Sequence, residues 1–309
     1  MDAIAPWSAP ASTGPNFPAT LIVQEAGRRS LTPLTAALHC AVFPLSGFFS
    51  MTFLLIDIGN TFLKWGMYAP PQTTPPGTPQ STAGSRVREF GRVLLDEIPM
   101  VMAEWRRLPA PGRIVVSSVA GTRVANPVLR AFEVWPDAPE PHWITSRAEQ
   151  CGVRNGYLNP AALGCDRWAA LIGAHALNAG RAALVVVCGT ATTMDVLTAQ
   201  GEFVGGGIMP GLGLMQRALH QNTATLPDAP GEYVDLPRQT VDAIATGCAH
   251  AQAGAVERMF FMHRRNHPDL RCIISGGAAR SLGPRLTIEY MYQENLVLEG
   301  LYQIAASLP

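Results

Sequence analysis

FLLIDIGNTFLKWGMY, residues 53–68, and ALVVVCGTATTMDVLTA, residues 183–199, are built on one plan. Each begins as a short apolar run, breaks at a small-residue turn and returns as a second strand. In the first, FLLID (53–57) ends on Asp57, GNT (59–61) turns, and FLKWGMY (62–68) returns. In the second, ALVVVCG (183–189) meets TAT (190–192) and returns as TMDVLTA (193–199). Working outward, 87–95 reads as a third strand, 96–107 as a helix, 113–121 as a buried strand and 122–135 as a helix. The Pro/Gly/Thr-rich stretch 69–85 reads as a loop. After the second unit, helices are expected at 212–221 and 240–263, a strand at 271–275 feeding SGGAA (275–279), and a closing helix at 296–307. A strand–turn–strand unit opening each half predicts a duplicated α/β architecture, with halves at 51–180 and 181–309.

Composition narrows the function classes. The chain has 309 residues, 48% of them hydrophobic, enough for a sizeable core. Lys+Arg and Asp+Glu are both 23, so no basic surface calls for nucleic acid or an anionic membrane. Only 7% of residues are aromatic, which argues against base-stacking platforms. Lys64 is the sole lysine. None of the cysteines forms a C-x-x-C pair, and no histidine spacing suits a metal, so reduced thiols and no structural zinc are expected. Residues 1–50 are rich in Pro, Ala, Ser and Thr and then apolar from 34 to 49. Pro44 interrupts that run, which is shorter than a bilayer span, and the basic pair Arg28-Arg29 lies far from the amino terminus. The stretch is read as a disordered or mis-assigned extension ahead of Met51, and the protein as cytoplasmic.

The turn DIGNTFLK (57–64) is the first chemical candidate. Backbone N–H groups at Gly59, with Asn60 and Thr61 beside them, offer the short donors a phosphate needs. Asp57 would hold a hydrated Mg²⁺, and Lys64 would reach the same phosphates. An ordinary hairpin with Asp57 capping its turn is the alternative. Gly189 and Thr190 repeat the logic in the second unit. GGGIMPG (205–211) is read as a flexible segment and helix start, and SGGAA as a further glycine turn. Neither a P-loop nor a dinucleotide-binding fingerprint is present. Asp166 and Arg167 open the apolar helix within LGCDRWAALIGAH (163–175). A first-turn Asp also suits the helix dipole without any catalysis. Beside a phosphate site it would take a proton from an attacking hydroxyl, with Arg167 holding an anionic group.

D-x-G-N-T at 57–61, Y-x-x-P-x-x-L-G-x-D-R-W at 157–168, G-T-A-T-T at 189–193, G-G-x-I-x-P-G at 205–211 and S-G-G at 275–277 together resemble the type III pantothenate kinases. The resemblance runs from Phe53 to the C-terminus. It implies two ribonuclease-H-like halves of the acetate-and-sugar-kinase/Hsp70/actin superfamily, with the active site in the cleft between them. It further implies a cytoplasmic homodimer that phosphorylates pantothenate with ATP and Mg²⁺, the first step toward coenzyme A.

Position by position, the resemblance makes Asp57, Ile58, Gly59, Asn60, Thr61, Phe62, Leu63 and Lys64 an ATP-binding segment, joined by Thr190. Gly164, Cys165, Asp166 and Arg167 fall on the pantothenate-contacting motif, with Asp166 the proton acceptor, and Tyr157 and Thr240 on further pantothenate contacts. Many members carry an Asp that binds K⁺ or NH₄⁺ where this chain has Val187. Two other readings share the fold: a regulatory protein that has lost turnover, and a kinase for a different small molecule.

Overall fold

The structure, a computed structural model, describes residues 52–71, 86–121 and 124–309. The extension 1–50, most of the loop expected at 69–85 and the first residues of the helix expected at 122–135 lie outside the described residues. In chain order the elements are β1 (Phe53–Ile58), β2 (Phe62–Tyr68), β3 (Val87–Leu94), α1 (Ile98–Trp105), β4 (Arg113–Ser118), α2 (Ala125–Phe132), β5 (His142–Trp143), β6 (Glu149–Gln150) and β7 (Val153–Asn155). There follow α3 (Cys165–Leu177), β8 (Ala183–Cys188), β9 (Ala191–Leu197), β10 (Glu202–Pro210), α4 (Leu212–Asn222), α5 (Thr240–Arg264), β11 (Arg271–Ser275), α6 (Ala279–Leu282), β12 (Tyr290–Tyr292) and α7 (Leu296–Ser307).

Strand order carries the duplication. The first sheet runs β3-β2-β1-β4-β5, with β1 antiparallel to β2 and parallel to β4. The second contains β10-β9-β8-β11-β12, the same order and the same directions, with β8 in the place of β1. This is the duplicated α/β architecture expected from the paired strand–turn–strand units, and it agrees with the two ribonuclease-H-like halves that the resemblance implies. Strands β7 and β6 extend the second sheet beyond β10, so that sheet draws on chain from ahead of residue 181.

Two expectations need correction. GGGIMPG is not a flexible segment; its residues up to Pro210 belong to strand β10, paired with β9 from Phe203 to Pro210. Glycine is needed there because Gly206 lies directly opposite Asp195, where a Cβ would overlap the Asp195 carboxylate and the Met194 carbonyl. The second turn is also tighter than TAT suggests. Cys188 pairs with Thr192, and β9 has begun by Ala191, leaving Gly189 and Thr190 as the turn.

Apolar periodicity explains the layers. Alternation in β1 sends Leu54, Ile56 and Ile58 to a core closed by α1 and α2, and Phe53 and Leu55 to the opposite face. Leu184, Val186 and Ile274 in the second sheet face a core under α5 and α6, while Val185 and Ile273 face inward. Helices α3 and α7 lie in the core shared by the two inner faces, which is why both are apolar over most of their surface. Their backbones nearly touch. A Cβ on Gly300 would overlap the Ala169 carbonyl, and one on Gly173 would meet Leu296 O and stand 2.9 Å from Gly300 N.

Such a crossing has no slack for a methyl group, and overpacking costs about 1–3 kcal/mol. Gly300→Ala is expected to destabilise the protein by that amount in urea unfolding. A change within about 0.5 kcal/mol would show that the α3–α7 contact yields without cost.

Candidate active site

A cleft of about 460 Å³ opens where the two sheets present their first turns to each other. The β1–β2 turn lines one wall through Asp57, Gly59, Asn60, Thr61, Phe62 and Lys64. The opposite wall comes from the β8–β9 turn, from Ser275–Ala278 and from the N-terminus of α7. Thr61 Oγ1 and Thr190 Oγ1 meet at 2.9 Å, so the two turns touch directly.

Strand geometry sorts the expected ATP segment. Asp57 pairs with Lys64 across the β1–β2 ladder, which puts both side chains on the cleft face. Ile58 pairs with Leu63, one step along, and both point the other way. They are completely buried in the core beneath α1 and α2, so the expectation that they bind nucleotide fails for their side chains. Gly211, at the start of α4, braces the second turn: its N–H donates to Thr190 O at 2.9 Å, and a Cβ there would overlap Gly189 O. Gly276 has φ +94° and lies against the Cys188 backbone, so the late S-G-G motif is glycine by conformation as well as by contact.

Asp57 is buried, and its Oδ1 has no hydrogen-bond partner. Burial raises its pKa from 3.8 to about 6; Lys64 opposes the rise and Asp166 adds to it. A buried carboxylate oxygen without a partner fits a hard cation with oxygen ligands, and one carboxylate with waters and phosphate oxygens is what Mg²⁺ takes. Among the described residues no group of three or more His, Cys, Asp or Glu gathers as a metal site. Asp57 is therefore the protein's ligand candidate, and Val187 lines the same cleft without an oxygen to add.

Asp166 stands in the first turn of α3 and lines the cleft, with Oδ1 accepting from Arg167 N at 2.8 Å. Gly164 gives it room, since a Cβ there would stand 2.7 Å from that oxygen. Cys165 does not line the cleft. Its thiol lies 3.4 Å from Ser117 Oγ and donates to Ser118 O at 3.3 Å, tying α3 to β4. Burial pushes that thiol above its usual pKa and keeps it protonated.

Arg167 lines the cleft, but most of its donors are taken. Nε donates to Asp195 Oδ2 at 3.0 Å, Nη2 donates to Asp195 Oδ1, and Nη1 donates to Tyr157 Oη at 2.7 Å. Tyr157 thus backs Arg167 and does not itself line the cleft. Thr240 lies elsewhere: it starts α5 on a separate apolar groove of about 420 Å³ with Met215, Leu219 and Ile244. The structure does not bring it to the cleft.

Sequence reasoning missed four contributors. Asp195, a lone carboxylate in the apolar run of β9, was the one with a readable signal. Arg92, Arg217 and the α7 N-terminus line the cleft through tertiary contacts that no local pattern announces.

Residues 53–261 match the family model described as type III pantothenate kinase. A type III pantothenate kinase from Aromatoleum aromaticum is 48% identical over 252 residues, covering 82% of this chain and 97% of that one. Those from Verminephrobacter eiseniae and Nitrosospira multiformis are 41% and 42% identical over 263 and 253 residues, each covering 82% of this chain and 97% and 90% of their own.

The Asp57 environment generates a stability prediction. With a folded pKa near 6 against 3.8 unfolded, the native state holds this proton more tightly. That advantage is complete below about pH 4 and is lost as pH rises through about 6. Asparagine has no charge to bury. In metal-free buffer Asp57→Asn is expected to melt above the wild type at pH 8, by roughly 2–3 kcal/mol of stability, and to converge with it near pH 4. A variant that melts lower at pH 8 would contradict the burial argument.

Proposed function

We propose that this chain, which belongs to the type III pantothenate kinase family, transfers the γ-phosphoryl group of ATP to the primary hydroxyl of pantothenate. The protein is a kinase, and the product, 4'-phosphopantothenate, is committed to coenzyme A. The observation that carries the residue assignment is the placement of Asp166 at the start of a buried helix, in the cleft that Asp57, Lys64 and Thr190 also line.

Phosphoryl transfer asks the protein for positioning and charge stabilisation more than for covalent chemistry. The β1–β2 turn from Gly59 to Thr61 and the β8–β9 turn at Gly189 and Thr190 present backbone and hydroxyl donors to the phosphates from opposite walls. Lys64 adds a positive charge on the same face as Asp57. Asp57 would hold a divalent metal such as Mg²⁺, which would supply positive charge to neutralise the phosphates. Asp166 accepts the proton of the attacking hydroxyl. A loose transition state demands little of that base. Arg167, with the donors that Asp195 and Tyr157 leave free, faces the anionic end of the substrate.

The family resemblance supports a cytoplasmic homodimer. The open apolar groove between α4 and α5 supports a second copy there, which would give Thr240 a role outside its own cleft. No described helix is long and apolar enough to cross a membrane. Valine at position 187 supports a cleft that works without a monovalent cation, since an apolar side chain leaves such an ion uncompensated.

Two measurements check this reading. The wild-type protein is expected to form phosphopantothenate from ATP and pantothenate, and Asp166→Asn to lose about 10²–10⁴-fold in turnover while keeping its thermal midpoint. A variant with near-normal turnover removes Asp166 from the role of base. In a bulky organic-cation buffer, initial velocity is expected to change little when K⁺ is added and to fall away without Mg²⁺. Strong activation by K⁺ would show that groups other than residue 187 build a cation site.

A further inference from the structure

Gly205, Gly206 and Gly207 of the G-G-x-I-x-P-G segment are not accounted for by phosphate binding, since they lie inside strand β10, whereas Gly211 braces the second turn. The middle one, Gly206, faces Asp195. Gly206 is its cross-strand partner, and any side chain there would displace the carboxylate. Asp195 is 1% exposed and Arg167 is 5% exposed, and Asp195 accepts from Arg167 through both carboxylate oxygens. The guanidinium is closed in further by the Tyr157 hydroxyl and by the Tyr157 and Phe203 rings, 5.5 and 5.8 Å from their centroids. Those partners come from three places: β9, β10 and the chain after β7. Arg167 therefore cannot shift without moving the second sheet, and Asp166 is the preceding residue on the same helical turn.

We propose that Asp195 is a positioning residue: seated in the space left by Gly206, its carboxylate fixes Arg167 and, through Arg167, the register of Asp166 against the second phosphate turn. Asp195 does not line the cleft, so it acts through its neighbour and not on the substrate. The glycine motif and the G-x-D-R motif, separated by about forty residues, are one device. Gly206 leaves the space for the carboxylate that holds the arginine. The inference rests on Asp166 and Arg167 serving the reaction as assigned above.

A double-mutant cycle tests it. Steady-state kinetics are measured for the wild type, Asp195→Asn, Arg167→Met and the double variant. Asp195→Asn is expected to lose about 10²-fold in kcat/KM for pantothenate, the effect of a small misplacement of catalytic groups, with KM for ATP changed by less than about threefold on the same ground. Because Asp195 acts only through Arg167, the double variant is expected to match Arg167→Met. Should Asp195→Asn fail to fold, with a buried guanidinium left unpaired, the comparison of Arg167→Met with the double variant still decides, since both lack that charge. A further tenfold fall in the double variant, or an Asp195→Asn protein with full activity, overturns the proposal. Failure of the wild type to phosphorylate pantothenate would count against the substrate reading alone. The cycle is then read in thermal midpoints, where a double variant more stable than Asp195→Asn supports the coupling and additive losses overturn it.

Discussion

The backbone contact between α3 and α7 is the constraint on which the rest depends. Each helix is apolar nearly all round because each lies between two sheets, and neither sheet alone would cover it. Glycines at 173 and 300 let the helices cross without side chains between them. That closeness sets the distance between the inner sheet faces, and so lets Thr61 of one turn meet Thr190 of the other. It also fixes what enters the cleft: the first turn of α3, with Asp166, and the N-terminus of α7. The positive end of the α7 dipole is well suited to an anionic ligand there.

The cleft concentrates electrostatic cost in few groups. Asp57 carries a carboxylate oxygen without a partner, and its proton is held to about pH 6. Such an arrangement disfavours the empty folded state and favours whatever brings positive charge to that oxygen. Arg167 and Asp195 show the opposite solution, a buried pair joined through both carboxylate oxygens and backed by the Tyr157 hydroxyl. One buried charge is left open for ligand chemistry, and the other is closed to hold geometry.

Much of the fold was legible in the sequence because its deciding signals are local. FLLID–GNT–FLKWGMY and its counterpart at 183–199 state strand, turn and strand by alternation and by small turn residues, and both sheets open with them. The cleft positions of Asp57, Lys64, Asp166 and Thr190 were legible for the same reason: each sits at or beside a turn or a helix start. The failures share a cause. GGGIMPG looked flexible because three glycines in a row lack side-chain information, and the carboxylate that the middle one, Gly206, accommodates is on another strand. Ile58 and Leu63 belong to the segment whose neighbours line the cleft but point to its core face, a distinction that only the pleat makes. Arg92, Arg217 and the α7 N-terminus reach the cleft by tertiary placement alone.

The most direct measurement is a crystal structure with Mg²⁺, pantothenate and a non-hydrolysable ATP analogue. The account predicts the triphosphate held between the 59–61 and 189–190 turns, Mg²⁺ on the Asp57 side, and the pantothenate primary hydroxyl within about 3 Å of the Asp166 carboxylate, in line with the γ-phosphorus. A hydroxyl directed away from Asp166, or a triphosphate that leaves either turn untouched, would contradict it.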